Sequence, residues 1–417
     1  MYAGNNLELS GVTLQEFAGA LRINGTGYVY DTVITNNEAP SCAGFIANDN
    51  SEVTFNNMTV TGNTANATYG GGGCVFSGSL LTVNNSTISN NTAVDYGGGV
   101  YTSGVFSSFN STISGNSAGS GGGILGRDQG DVILKFTTLT GNQAIGTIGG
   151  GIYFWGDTLD IENSIIRSNQ AQTRGGGIYN AGTTVSIKAS SIIDNSSVDQ
   201  GGGIHNYAYG GDVLIVINST ISGNQSNVSG GGISMYSGEI HLINTTIAEN
   251  TADADGGNDG NGGGIYRNSS SAHDIYLKNT ILANNLDAST GTFAFVITDC
   301  DAELVSQGYN LIGVGAGTGA CTITGDISGN QVGSPGDKVD PLLDTRGTNG
   351  YYTQHYDLLS GSPAIDGGTP AGCLDQDDAA IQSDQRGEVR QVGSRCDIGS
   401  VESFLGKWWL HLPLLLR

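Results

Sequence analysis

The 417-residue chain is poor in several things. It has 6 prolines, 3 methionines, 3 tryptophans and 15 lysines or arginines. Against those 15 cations stand 38 acids, a net charge of −23. Such a chain repels phosphate backbones and gains nothing from anionic lipid, so nucleic acid is not an expected partner. No run of 18 apolar residues occurs, so no transmembrane helix is expected. No C-x-x-C pair exists to suggest a redox or zinc motif. Charged residues are only 13% of the chain, which leaves Asn, Ser, Thr and Gly to make the surface. The 69 glycines fall in clusters, not at every third position, which excludes collagen. Hydrophobic residues make up 37% and recur at fixed places, which argues against low-complexity disorder.

What is present is a beat. NSTISNN at Asn85, NSTISGN at Asn110, NSIIRSN at Asn163, NSTISGN at Asn218 and NTTIAEN at Asn244 are copies of one motif. Its closing Asn residues run from Asn37 to Asn285 at steps of 25 to 29 residues, with one step of 35. Glycine triplets followed by an aliphatic residue keep the same time, as at Gly149–Gly151 before Ile152. Between them lie short alternating segments such as Leu159-Asp160-Ile161 and Val185-Ser186-Ile187, which read as strands. A unit of about 26 residues buries its apolar face only by stacking on its copies. The fold expected is all-β, a right-handed single-stranded parallel β-helix of about ten or more coils with a C-terminal cap. The closing Asn residues should form an amide ladder, and the glycine triplets should sit at corners needing positive φ and close backbone approach. The L-x-x-L-x-L spacing of leucine-rich repeats is absent.

The pairing of GGGI with ISxN resembles the GGAI and FxxN repeats of polymorphic outer membrane proteins and of bacterial right-handed β-helix repeat proteins. Residues 308–402 contain in order GYNLIG, DPLLDTRGTNG, LLSGSPAIDGG, DQRGEVR and CDIGSVE. That order resembles the choice-of-anchor Q region of secreted bacterial surface proteins. The resemblance implies secretion and surface attachment more than chemistry. The division expected is repeats over 1–300, last coils and cap over 301–403, and an apolar tail over 404–417. Met1 leads straight into coil-like sequence with no export signal, so the start of a secreted chain is expected to be truncated, trimmed or misplaced.

Six cysteines fit an oxidising compartment. The pairs expected are Cys42–Cys74, Cys300–Cys321 and Cys373–Cys396. For metal, the insertion at 253–261 offers Asp253, Asp255, Asn258, Asp259 and Asn261 as hard oxygen donors for Ca²⁺, against the alternative of a solvated acidic loop. For binding, the residue after each glycine-triplet aliphatic points outward. That should align Tyr101, Tyr153, Tyr179 and Tyr266, with Trp155 and Tyr236 nearby, as a platform for sugar or a partner; simple strand-stabilising stacking is the alternative. The N-x-[ST] triplets are read as products of the repeat. Basic residues such as Lys135, Arg167 and Arg174 are not expected to group with acids in neighbouring coils, which disfavours a lyase or hydrolase. The tail 404–417 reads either as an envelope-contact segment or as cover for the open end of the helix. The function expected is a non-catalytic extracellular or cell-surface protein for adhesion or self-assembly. A polysaccharide lyase or glycoside hydrolase is the second reading.

Overall fold

The computed structural model describes residues 2–3, 7–19, 21–208, 212–257, 260–268, 273–289, 299–315, 321–390 and 393–403. It is a parallel β-solenoid of about 11 turns, and no helix occurs among the described residues. Three parallel sheets run along its axis. The largest has 23 strands because each turn contributes two segments to it, fused in Leu21–Tyr30 and Phe45–Asn56. The others have 13 and 10 strands, one per turn. Inward residues of successive turns stack into one continuous core, for example Leu159, Val185, Leu214 and Ile240, all in register. Each such aliphatic side chain contributes about 1.5–3 kcal/mol on full burial.

The recurrent heptapeptide explains itself residue by residue. In Asn110–Asn116, Asn110 takes φ +48 and turns the chain out of the large sheet. Few side chains tolerate that left-handed backbone, and Asn is one. Ser111 turns inward, and its hydroxyl accepts from the Ser86 N–H at 3.0 Å. Thr112 and Ser114 face outward while Ile113 enters the core. Gly115, at φ +61, makes the second turn. Asn116 then joins the amide ladder. Its Oδ1 accepts from both the N–H and the Nδ2 of Asn91 at 3.0 Å, and its own Nδ2 donates to Asn142 Oδ1 at 3.0 Å.

This ladder continues from Asn37 to Asn285 and ends on Asp299. A carboxylate can accept from Asn285 but has no amide hydrogen to pass on, so Asp299 closes the series. The second ladder, of hydroxyls, runs through residues such as Ser164, Ser190 and Ser219. Its members Ser86, Ser111 and Ser219 are the middle residues of N-x-[ST] triplets. The glycine triplets behave as their sequence implied. Gly149 has φ +68, and a Cβ on Gly150 or Gly151 would lie 2.4 or 2.6 Å from a carbonyl oxygen of the next turn.

All three expected disulfides are present: Cys42–Cys74, Cys300–Cys321 and Cys373–Cys396. Solenoid strands continue to Gln331–Val332. Beyond them the expected cap takes another form. Residues 341–390 and 393–403 lie along the side of the solenoid, against the outward face of the 13-stranded sheet. Tyr352 reaches Phe136 O at 2.8 Å, Tyr356 reaches Glu249 at 2.6 Å, and Ser400 N–H donates to Thr246 at 3.0 Å. Leu358, Ala364, Ile398 and Val401 pack on Ile281, Ala283 and Leu311. The segment is a lateral strap. Its hydroxyl and apolar partners were laid out along the sheet flank by the solenoid repeat. The tail 404–417 lies outside the described residues.

Candidate functional site

The strand that follows each glycine triplet carries two outward columns, at positions i and i+2. In the first column Tyr101, Leu125, Tyr153, Tyr179, His205, Ser234 and Tyr266 stand side by side in register. The expected tyrosine column therefore exists, but it is interrupted at Leu125 and Ser234, and it is largely sunk. Tyr101 and Tyr179 are buried, and Tyr153 and Tyr266 are half-buried. Tyr101 stacks on Tyr69 at 4.4 Å, and Tyr179 stacks on His205 at 5.1 Å. Burial raises the pKa of Tyr101, Tyr153 and Tyr266 and lowers that of His205 to about 3, so His205 is neutral near pH 7.

The exposed aromatics belong to the second column. Trp155 is 51% exposed and Tyr236 39%. The Arg127 guanidinium lies 5.8 Å from the centre of the Trp155 ring. Tyr207, which the sequence reading passed over, stands 4.7 Å from Tyr236 and 6.3 Å from Tyr179. Between Trp155 and Tyr207 comes one turn with only Ala181 in this column. Two strand steps of about 4.8 Å put the two aromatics about 10 Å apart across that gap. The i+2 parity from His205 to Tyr207 was the signal that could have found it.

The 253–261 insertion places its acids unevenly. Asp253 is fully buried with φ +53, and Asp255 is exposed, its Oδ1 accepting from Gly257 N–H at 3.3 Å. Asn261 N–H donates to Ser229 at 3.2 Å. Asn258 and Asp259 lie outside the described residues. Among the described residues no group of three or more His, Cys, Asp or Glu side chains is placed to hold a metal.

One expectation fails. Basic and acidic residues do pair between neighbouring turns. Lys135 lies 2.7 Å from Glu162 and 3.9 Å from Asp160, and Lys188 stands opposite Glu162 in the next strand. Arg174 meets Asp199 at 2.7 Å. Steps of 25 to 27 residues bring these groups into adjacent positions, where opposite charges attract. All are partly exposed, so each pair contributes about 0–1 kcal/mol.

The sheets, ladders and glycine corners define a parallel β-solenoid repeat protein. Within one turn, residues 85–103, from NSTISNN past Gly97–Gly99, are similar to the Chlamydia polymorphic membrane protein (Chlamydia_PMP) repeat, whose model they match. No curated protein and no solved structure matches the chain significantly. No helix among the described residues is long and apolar enough to cross a membrane.

Proposed function

We infer that the protein is a bacterial cell-surface or extracellular adhesion protein that binds glycan on its aromatic face. The observation that carries this reading is the exposed pair Trp155 and Tyr236 beside half-buried Tyr153 and Tyr207. Rigid aromatic rings offer apolar faces to sugar C–H groups at low entropic cost. The gap at Ala181 leaves room for a sugar between flanking rings. The polymorphic membrane protein repeat supports a surface location. The test is retention of the full chain on immobilised extracellular glycans, neutral and acidic, with and without Trp155→Ala. Retention that Trp155→Ala does not change would overturn the assignment of this face.

The second reading, a polysaccharide lyase or hydrolase, draws on Lys135, Asp160 and Glu162 on one exposed sheet face. Glycan depolymerisation abolished by Glu162→Gln would favour it over adhesion. A Ca²⁺ ion at the 253–261 insertion belongs to this proposal as a stabilising element. Added Ca²⁺ should raise the melting temperature, and Asp255→Ala should remove that rise. An unchanged melting temperature at millimolar Ca²⁺ counts against it. Self-assembly into filaments is the further possibility that electron micrographs of the purified chain decide.

A further inference from the structure

We propose that the aromatic face takes an uncharged, linear polysaccharide laid along the solenoid axis. This rests on the glycan reading of that face and adds the chemical class and direction of the ligand. The direction comes from the rings. Trp155, Ala181, Tyr207 and Tyr236 come from four consecutive turns. The pairing shifts register between Asn206 and Tyr207, which sets Tyr236 beside Tyr207 with ring centres 4.7 Å apart. Such irregularities re-aim side chains. Among the described strand pairings the only other shift lies between Asn24 and Thr26. Three steps of about 4.8 Å separate the turn of Trp155 from that of Tyr236, about 14 Å in all. That exceeds one sugar ring, so a ligand touching both ends is a chain running across the strands.

The class comes from the charges. Arg127 pairs with Asp128 at 3.1 Å and Arg174 with Asp199 at 2.7 Å. In the turn after Tyr236, Arg267 meets Glu303 at 3.2 Å and Asp274 at 3.7 Å. Each of these cations already has its acid. Asp157, two residues past Trp155, is exposed, and the whole chain carries −23. A uronate or sulfated polymer would meet repulsion with no cation left over to offset it. A cationic polymer meets the opposite obstacle, because the Arg127 guanidinium already lies over the Trp155 ring at 5.8 Å. An uncharged chain avoids both costs. Its C–H groups stack on Trp155, Tyr207 and Tyr236 without help from charge. The partly exposed Arg127–Asp128 pair offers donors and acceptors to its hydroxyls.

The experiment titrates the full chain and Trp155→Ala with dimers and hexamers of three charge classes. Glucose and N-acetylglucosamine oligomers are uncharged, galacturonate oligomers anionic and deacetylated glucosamine oligomers cationic. Circular dichroism checks that the variant keeps the wild-type fold. At low salt an uncharged hexamer should bind about tenfold or more tightly than either charged hexamer and than its own dimer. Trp155→Ala should remove that advantage. High salt should leave the affinity of the uncharged hexamer unchanged, since there is no charge on it to screen. A charged hexamer that binds as well as the uncharged ones, or equal binding of dimer and hexamer, overturns the proposal. If that binding still weakens in Trp155→Ala, the glycan reading of the face stands and only the class or direction falls. No binding of any hexamer, or binding indifferent to Trp155→Ala, overturns both.

Discussion

Removing one rung from the middle of the amide ladder gives the sharpest test of how the solenoid is held. Asn169 is fully buried between Asn142 and Asn195. Its Oδ1 accepts from Asn142 N–H and Asn142 Nδ2, both at 2.9 Å. Its Nδ2 donates to Asn195 Oδ1 at 2.9 Å and to Leu139 O at 3.2 Å. Asn169→Ala strands two buried donors of Asn142 and takes one donor from Asn195 Oδ1, which still has the Asn169 N–H. Each stranded buried group costs about 1–3 kcal/mol, so the substitution should cost about 2–6 kcal/mol in all. In a stacked array the damage should concentrate in the altered turn and its neighbours. Denaturant midpoints would give the global loss, and amide hydrogen exchange would locate it. Exchange should quicken around residues 138–196 and stay unchanged near Ile34. A loss below about 0.5 kcal/mol would refute the argument, because buried donors would then have found other partners.

Two further substitutions test the account. Burial raises the pKa of Asp299 to about 6. A carboxyl with a raised folded pKa adds stability that is fully present below about pH 4 and lost as pH rises through 6. Asp299→Asn removes that dependence but points an amide N–H₂ at Val314 N–H, which donates to Asp299 Oδ2 at 2.7 Å in the native chain. The variant should be less stable than wild type, with the gap narrowing between pH 4 and 7; a constant gap in thermal melts contradicts this. Arg390, buried in the strap, donates to Asn218 Oδ1 and to Gly399 O, both at 2.7 Å, beside Glu402 at 3.6 Å. Arg390→Met breaks the buried ion pair with Glu402 and the two hydrogen bonds, a loss of about 3–5 kcal/mol. Limited proteolysis should then release the strap and spare the solenoid, and equal resistance in both proteins would be the contrary result.

Much of the fold is legible from local chemistry. The heptapeptide encodes two left-handed turns, one core residue and one ladder amide, all within seven positions. Its period announces stacking. The ladder amides and glycine corners follow from that period, and the cysteine pairs from their adjacency in the sequence. The strap is not legible in the same way. Its partners lie 107 residues apart for Tyr356 and Glu249, and 154 for Ser400 and Thr246. No local pattern marks which face of a solenoid a distant segment will cover. The aromatic face was half legible. Alternation placed the tyrosines outward, but burial by neighbours such as Leu125 depends on register between turns. The Lys135–Glu162 pair escaped for the same reason, since variable turn lengths hide which residues become adjacent.

The central functional claim is that the second outward column binds glycan. The most direct measurement is titration of the full chain, monitored by calorimetry, with the glycan that retains it best. Wild type and the double variant Trp155→Ala/Tyr236→Ala are compared. Loss of two exposed stacking rings should remove about 1.4 kcal/mol or more, a tenfold or greater weakening, with the melting temperature unchanged. Equal affinity in the two proteins would contradict the account.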